Sequence, residues 1–364
     1  MLDLEKVTIN TGGFTVRDVN LAVRPGVCHV IIGPTGCGKT TLLEAVVGLK
    51  TPEAGEIRLE GRPINNLPIE RRGISYLPQD LALFPHLSVE ENILYSLRLR
   101  KDKGGRLREL AMELADNLGI TSLFRRSIHN LSGGERQRVA LVRALATGSR
   151  YLLLDEPFSA LHEAMKKDLW LLIADLKRRL GLCIVMVSHD MEETFFLGDV
   201  ISVMIDGVIR QTGPKDDVYG QPKDIAVAEF FGIKNLFLVE AVKMQEGQAA
   251  VRCPDLNGEF IIPAGRFPDA SSVSPGDSFT IGIRPENIML IRAGLKGENQ
   301  DNILKGDIRE VFPRGPASAV LFAPDGSNKL IEIDIPDYAM KKLGVARGAA
   351  AVVSLKGEKI FIIF

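Results

Sequence analysis

The apolar run Val27-Cys28-His29-Val30-Ile31-Ile32 leads without a break into Gly33-Pro34-Thr35-Gly36-Cys37-Gly38-Lys39-Thr40, and Thr41 to Val47 follows with helical patterning that stops at Gly48. A continuous apolar run, with no alternation, fits a strand buried on both faces, which commits the chain to a parallel sheet covered by helices. Between strand and helix lies a full GxxxxGK[ST] match, in the strand–loop–helix context that gives the string its mechanism. Glycines let the loop curl so that successive N–H groups face an anion, and the helix behind it adds its positive end. Lys39 is expected to reach the β- and γ-phosphates of a nucleotide and Thr40 to ligate Mg²⁺. Gly33 through Thr40, with Thr41, form the expected nucleotide cradle.

A second apolar run, Tyr151-Leu152-Leu153-Leu154, ends in Asp155-Glu156-Pro157. A buried strand would deliver both acids to the carboxyl edge of the sheet, where ligands bind in open α/β folds. The first acid suits a Mg²⁺ shell and the second can orient or deprotonate water. Leu182 to Val187 reads as another buried strand. Between the loop and the acids, Val89 to Leu97 and Arg108 to Ala115 have helical patterning, joined by the basic link Arg98 to Arg106. That link reads as a solvated loop, with attraction to anionic lipid headgroups as the functional alternative.

About ninety residues after the first loop comes Leu131-Ser132-Gly133-Gly134-Glu135, at the start of a further helical pattern. Ser132 as an ordinary N-cap with a reciprocal acid downstream explains part of the string. Ser132, Gly133 and Gly134 also make a second anion cradle at a helix start. The string, with Gln137 beyond it, is longer than a cap requires.

At 364 residues the chain suits two domains or slightly more. Apolar residues make up 45% and charged residues 25%, and the net charge is 45 − 46 = −1, so no nucleic-acid partner is expected. The opening Met1-Leu2-Asp3-Leu4-Glu5 does not read as a secretory signal. The apolar runs fall far short of the ~20 residues a membrane span needs, so any membrane role is expected to be peripheral. Cys28, Cys37, Cys183 and Cys253 show no C-x-x-C spacing and read as reduced thiols, with Cys37 in the loop the alkylation-sensitive one.

Together these strings resemble the nucleotide-binding subunit of ATP-binding cassette (ABC) transporters, over the first 230 or so residues. The resemblance implies an α/β P-loop NTPase cassette over residues 1–232, with a helical subdomain at about 86–150. It implies ATP and Mg²⁺ as cofactors. Gln79, in Tyr76-Leu77-Pro78-Gln79-Asp80, matches the family's glutamine loop, which senses Mg²⁺ and the attacking water. His189, in Val187-Ser188-His189-Asp190, matches the switch histidine that contacts the γ-phosphate. By the same resemblance Glu156 is the catalytic base, and Thr40, Gln79 and Asp155 form the metal set. Phe14 is the candidate for stacking on adenine. Ser132, Gly133 and Gly134 would serve the ATP of a second copy in a head-to-tail homodimer. One departure stands out: after Phe158-Ser159-Ala160-Leu161 the family usually has Asp, and this chain has His162.

Beyond residue 233, strand-sized runs alternate with turn signals such as Asn257-Gly258, Pro275-Gly276-Asp277 and Pro324-Asp325-Gly326. They predict an all-β, OB-like barrel domain over 233–364. Phe279 to Ile288, containing Gly282-Ile283-Arg284-Pro285-Glu286-Asn287, resembles the accessory barrel of importers for sugars, polyamines, iron and oxyanions. Gly306 to Val311 and Ile335 to Val345 resemble the oxyanion branch, whose barrel can bind molybdate or tungstate. Glu70 to Ile74 and Phe84 to Val89 are also similar to the molybdate/tungstate and sulfate importers.

Cassette proteins of DNA repair carry long coiled coils, translation-factor relatives carry two cassettes, and exporters usually carry fused spans. The resemblance therefore implies a separate importer ATPase, cytoplasmic and peripheral on the inner face of the cell membrane. Its partners would be transmembrane permease subunits and, through them, a solute-binding protein. The segment Asp80 to Val89 resembles the surface that receives the permease coupling helices. The expected solute is a molybdate/tungstate-type oxyanion, with sulfate, iron, sugar or polyamine as alternatives. A nucleotide-dependent oxyanion sensor is the reading of another class. A small-molecule kinase would leave Ser132-Gly133-Gly134 and His189 unexplained.

Overall fold

Three strands, Cys28–Ile32, Cys183–Val187 and Tyr151–Asp155, are buried at every residue. The computed structural model describes residues 1–100, 105–159, 161–245, 247–267, 273–291 and 302–364. Residues 101–104 of the basic link, with its expected lipid attraction, therefore lie outside the described residues. The chain forms two compact units, Met1–Lys215 and Asp216–Phe364.

In the first unit a six-stranded sheet runs in the order Val208–Pro214, Val200–Ile205, Cys28–Ile32, Cys183–Val187, Tyr151–Asp155, Ile74–Leu77. The last five are mutually parallel, as the unbroken apolar runs require. Chain order jumps on either side of Cys28–Ile32, so a crevice opens at the carboxyl ends where such sheets bind ligands. The helix Lys39–Val47 follows from that strand. Its C-terminal carbonyls are held by buried Arg72, which donates from Nη1 to Ala45 and Val46 oxygens at 2.9 Å each, and from Nε to Leu67 O at 3.0 Å.

A four-stranded antiparallel sheet, in the order Thr15–Val23, Leu2–Asn10, Ala54–Leu59, Arg62–Pro63, belongs to the same unit. No strand before Val27 is legible from sequence pattern, and the reason is local. Register shifts interrupt the pairing of Leu2–Asn10 with both neighbours, and Lys6 and Asp18 take left-handed backbone with φ of 48° each. Each bulge resets the alternation that would announce a strand. Helices Val89–Arg100, Arg106–Asn117 and Gly133–Leu145 make up the helical part of the unit. Among the described residues no helix is long and apolar enough to cross a membrane.

The second unit holds two five-stranded antiparallel sheets. One runs Gly258–Pro263, Gln248–Cys253, Leu236–Gln245, Ser278–Gly282, Phe361–Ile363; the other runs Ile288–Ile291, Ala350–Leu355, Ile303–Pro313, Ala317–Pro324, Ile331–Pro336. Phe260 and Val251 from the first and Phe322 and Val353 from the second share one apolar core, giving a barrel-like body. Within it, Asp337–Leu343 forms a short helix, entered through Pro336 and closed by left-handed Gly344. Residues 216–232 belong to this unit as well. Buried Arg284 lies 3.3 Å from the Tyr219 ring centroid and donates to the Tyr219 carbonyl at 2.6 Å, tying that segment to the barrel.

Candidate functional site

The Gly-rich loop and its helix start make the base of the site. Gly38 is the N-cap of Lys39–Val47 with φ of 100°; among the described residues no side chain caps that end, and its first turn holds no acid. The orphan N–H groups there are left for an anion. A Cβ on Gly38 would come within 2.5 Å of Val16 Cγ2 and 2.9 Å of Phe14 Cε1. Both the left-handed backbone and the close wall therefore require glycine. Phe14 packs its ring edge against this turn and against the surrounding apolar core. Lys39 is buried, and its ammonium donates to the carbonyls of Gly33 and Pro34 at 2.9 Å each. Cys37 is buried too, and burial pushes its thiol above the ordinary value. That corrects its expected sensitivity to alkylation, since a shielded, protonated thiol is a poor nucleophile.

Asp155, at the carboxyl end of its strand, is 1% exposed, with the hydroxyls of Thr40 and Tyr76 beside its carboxyl. Burial raises its pKa, while the neighbouring Thr40 hydroxyl and, more weakly, the Lys39 charge pull the other way. A desolvated carboxylate with only neutral hydroxyls beside it is costly unless a cation meets it. Asp155 beside the Thr40 hydroxyl is thus a fit for Mg²⁺. Among the described residues no three His, Cys, Asp or Glu side chains are grouped to hold a metal. Mg²⁺ does not need such a cage, because it keeps waters and phosphate oxygens in its shell.

Glu156 stands on left-handed backbone, φ 47°, with its N–H donating to Val187 O at 3.1 Å. Non-glycine residues in that region carry strain, which turns this side chain away from the strand direction. Gln79 Nε2 donates to Glu156 Oε2 at 3.3 Å, and His189 Nδ1 lies 3.3 Å from Oε1. Gln79 and His189, each just beyond a different strand, thereby meet on the carboxylate that follows a third.

Ser132 lies elsewhere in its bonding. Its hydroxyl accepts from Glu135 N at 3.2 Å and its N–H donates to Glu135 Oε2 at 2.7 Å, a reciprocal capping box. These bonds hold the Glu135 carboxyl below its usual range. The cap explanation therefore holds for the local string. Among the described residues no hydrogen bond or ion pair links Ser132, Gly133 or Gly134 to Lys39, Asp155, Glu156 or His189. Gln137 does reach the acid turn, donating its side-chain amide to Pro157 O.

Pattern reading missed two further contacts. Arg143 extends from the helix Gly133–Leu145 and donates to Leu81 and Ala82 oxygens at 2.6 Å each, both residues having left-handed φ. Its guanidinium also lies over the Phe84 ring, which packs on Tyr95 at 4.4 Å. The other contact is the pair of Lys166 with Asp190, an N-cap whose signal, an acid followed by Glu192 and Glu193 before an apolar run, is visible in the sequence. A cavity of about 880 Å³ lies beside Gln79 and Asp155, with Leu49, Ile69, Phe84 and Tyr95 in its wall.

A phosphate cradle, a buried acid beside the Thr40 hydroxyl and a second acid held by an amide and an imidazole define a P-loop ATPase of the cassette type. The ABC transporter family model matches residues 16–159. The molybdate/tungstate import ATP-binding protein WtpC of Pyrococcus horikoshii is 33% identical over 362 residues, covering 100% of this chain and 99% of that protein. WtpC of Thermococcus kodakarensis is 36% identical over 87% of this chain and 92% of its own length. The spermidine/putrescine import ATP-binding protein PotA of Thermotoga maritima is 35% identical over 82% of this chain and 80% of its own. A solved dimeric bacterial ABC transporter cassette superposes with a TM-score of 0.53 at 28% identity, covering 59% of this chain and 98% of that one. The same cassette in a post-hydrolysis state holds ADP and phosphate, at the same TM-score of 0.53. The chain belongs to the ABC transporter family, as an ATP-binding, importer-type ATPase.

Proposed function

We propose that the chain hydrolyses MgATP at the interface of a head-to-tail homodimer to drive uptake of a molybdate/tungstate-type oxyanion. The convergence of Gln79 and His189 on Glu156 carries the hydrolytic part of this reading. Lys39 swings from its own loop carbonyls onto the β- and γ-phosphates, and the N–H groups of Gly33 to Thr41 take the remaining phosphate oxygens. Phe14 flanks the adenine. Mg²⁺, when bound, neutralises phosphate charge, and Thr40, Asp155 and Gln79 are the residues to hold it. Glu156 accepts the proton of the attacking water, Gln79 orients that water, and His189 contacts the γ-phosphate. Ser132, Gly133 and Gly134 of a second copy close over the nucleotide. Support for the dimer comes from the known dimeric cassette and from the exposed position of the Ser132 turn.

The cavity walled by Leu49, Ile69, Phe84 and Tyr95 is the proposed seat of a permease subunit, on the cytoplasmic face of the membrane. Its place beside Gln79 would let docking reach the attacking water. The oxyanion assignment rests on WtpC likeness across the whole chain, including the barrel, which would be the place for a regulatory oxyanion. Polyamine import is the second reading, supported by the PotA likeness over 82% of the chain. Reconstituted with its permease and solute-binding protein, the wild type is expected to accumulate radiolabelled molybdate in an ATP-dependent way. Accumulation of spermidine instead would assign the polyamine reading.

A further inference from the structure

We propose that Lys166 is a positioning residue for hydrolysis, tying the His189 turn through Asp190 to the helix Glu163–Leu180. The inference rests on the reading of His189 as a hydrolysis residue. Lys166 Nζ lies 2.9 Å from Asp190 Oδ2 and 2.9 Å from Glu163 Oε1, and its side chain is only 13% exposed. Asp190 uses its other oxygen, Oδ1, to accept from Glu192 N at 2.8 Å and Glu193 N at 3.3 Å. One carboxylate therefore caps the helix Met191–Leu197 and anchors Lys166 at once.

The residue on the other side of His189 is fixed as well. Ser188 is fully buried; its hydroxyl accepts from Asp190 N at 2.8 Å and donates to the buried Glu193 carboxylate. His189 thus projects from a turn whose two flanking residues are both pinned, although its own side chain is 63% exposed. Lys166 N–H donates to His162 O at 3.1 Å, and His162 lies on the chain just beyond the turn that Ser159 N–H closes on Glu156 O at 3.3 Å. The connections close a ring: Glu156, its turn, His162, Lys166, Asp190, His189, and back to Glu156. Rotating the helix start or shifting the histidine turn breaks the Lys166–Asp190 link or carries the other partner along. A fully solvated pair would transmit little of this, but a part-buried pair with both partners committed resists separation.

The test compares Lys166→Met, Lys166→Arg, Asp190→Asn and His189→Ala in the full-length protein, reading kcat and KM for ATP together with thermal unfolding. Misplacement of His189 by a fraction of an ångström predicts a kcat loss of about tenfold in Lys166→Met with KM within twofold. Lys166→Arg should recover to within about threefold of wild type, since it keeps the charge in reach of Asp190. Asp190→Asn keeps a cap oxygen and removes the charge, so it should lower kcat in the same direction even if Lys166→Met folds poorly. Unchanged kcat in both Lys166→Met and Asp190→Asn, with His189→Ala inactive, overturns this inference alone. Full activity of His189→Ala overturns the underlying reading of His189. A loss in Lys166→Met that Lys166→Arg does not restore, with unfolding temperature equal to wild type, also overturns it.

Discussion

His189 Nδ1 lies 3.3 Å from Glu156 Oε1, a contact made possible by the left-handed backbone at Glu156. An extended residue at that position would continue the strand direction of Tyr151–Asp155 and carry the carboxylate elsewhere. The strained φ of 47° is therefore part of what brings the imidazole and the acid together.

Glu156→Gln should test the proposed general base directly. The amide keeps the shape and still meets Gln79 and His189, but it cannot take a proton. Turnover is expected to fall by at least about 10²-fold while ATP still binds. Size-exclusion chromatography with ATP should then show a trapped dimer. A variant that hydrolyses at the wild-type rate would remove Glu156 from the mechanism.

Gly38→Ala should damage nucleotide binding. Its Cβ would meet Val16 at 2.5 Å and Phe14 at 2.9 Å, on a backbone of φ 100° that alanine resists. The expected cost is on the order of 1–3 kcal/mol of stability. ATP affinity, measured by calorimetry, should drop at least tenfold because Lys39 follows directly.

At the start of the helix Glu163–Leu180, His162 is the N-cap and its side chain makes no capping hydrogen bond. Asp in its place would accept from N–H groups of the first turn, so His162→Asp is expected to stabilise the protein by about 1 kcal/mol. Urea denaturation would show this as a raised midpoint at unchanged slope. No gain in midpoint would mean that the helix start is satisfied by other means.

Burial pushes the Glu193 carboxyl up to about 7, the Ser188 hydroxyl opposing the shift. In the unfolded chain the group titrates near 4.5. Between those values the folded state binds more protons, so this group favours folding fully below about 4.5 and loses that contribution as pH rises through about 7. Glu193→Gln, neutral at every pH, should therefore gain stability over wild type at pH 8, on the order of 2–3 kcal/mol, with the difference vanishing near pH 4.5. Thermal melts at the two pH values check the sign. Greater stability of wild type at pH 8 would contradict it.

Much of the cassette was legible because its signals are local. The strand Cys28–Ile32, its glycine loop and the helix Lys39–Val47 are contiguous, and fully buried strands need no alternation to be recognised. The antiparallel sheet of Leu2–Asn10 and Thr15–Val23 was not legible, because its bulges break the two-residue period. The Ser132 string carried two meanings, cap and cradle, and the fold shows the capping box within the chain. The Lys166–Asp190 pair was hidden by distance: a lysine on one helix and an N-cap on another have no shared pattern.

The amino-acid sequence by itself determined the phosphate loop, the pair of acids at a strand end and the second, β-rich unit, since each follows from residues within a few positions of one another. Only the tertiary structure decided that Gln79 and His189 share the Glu156 carboxylate, that Asp155 is buried beside Thr40, and that Lys166 joins the histidine turn to the helix after the acids. Those relations depend on the order in which parallel strands assemble, because that order alone sets which distant strand ends become neighbours.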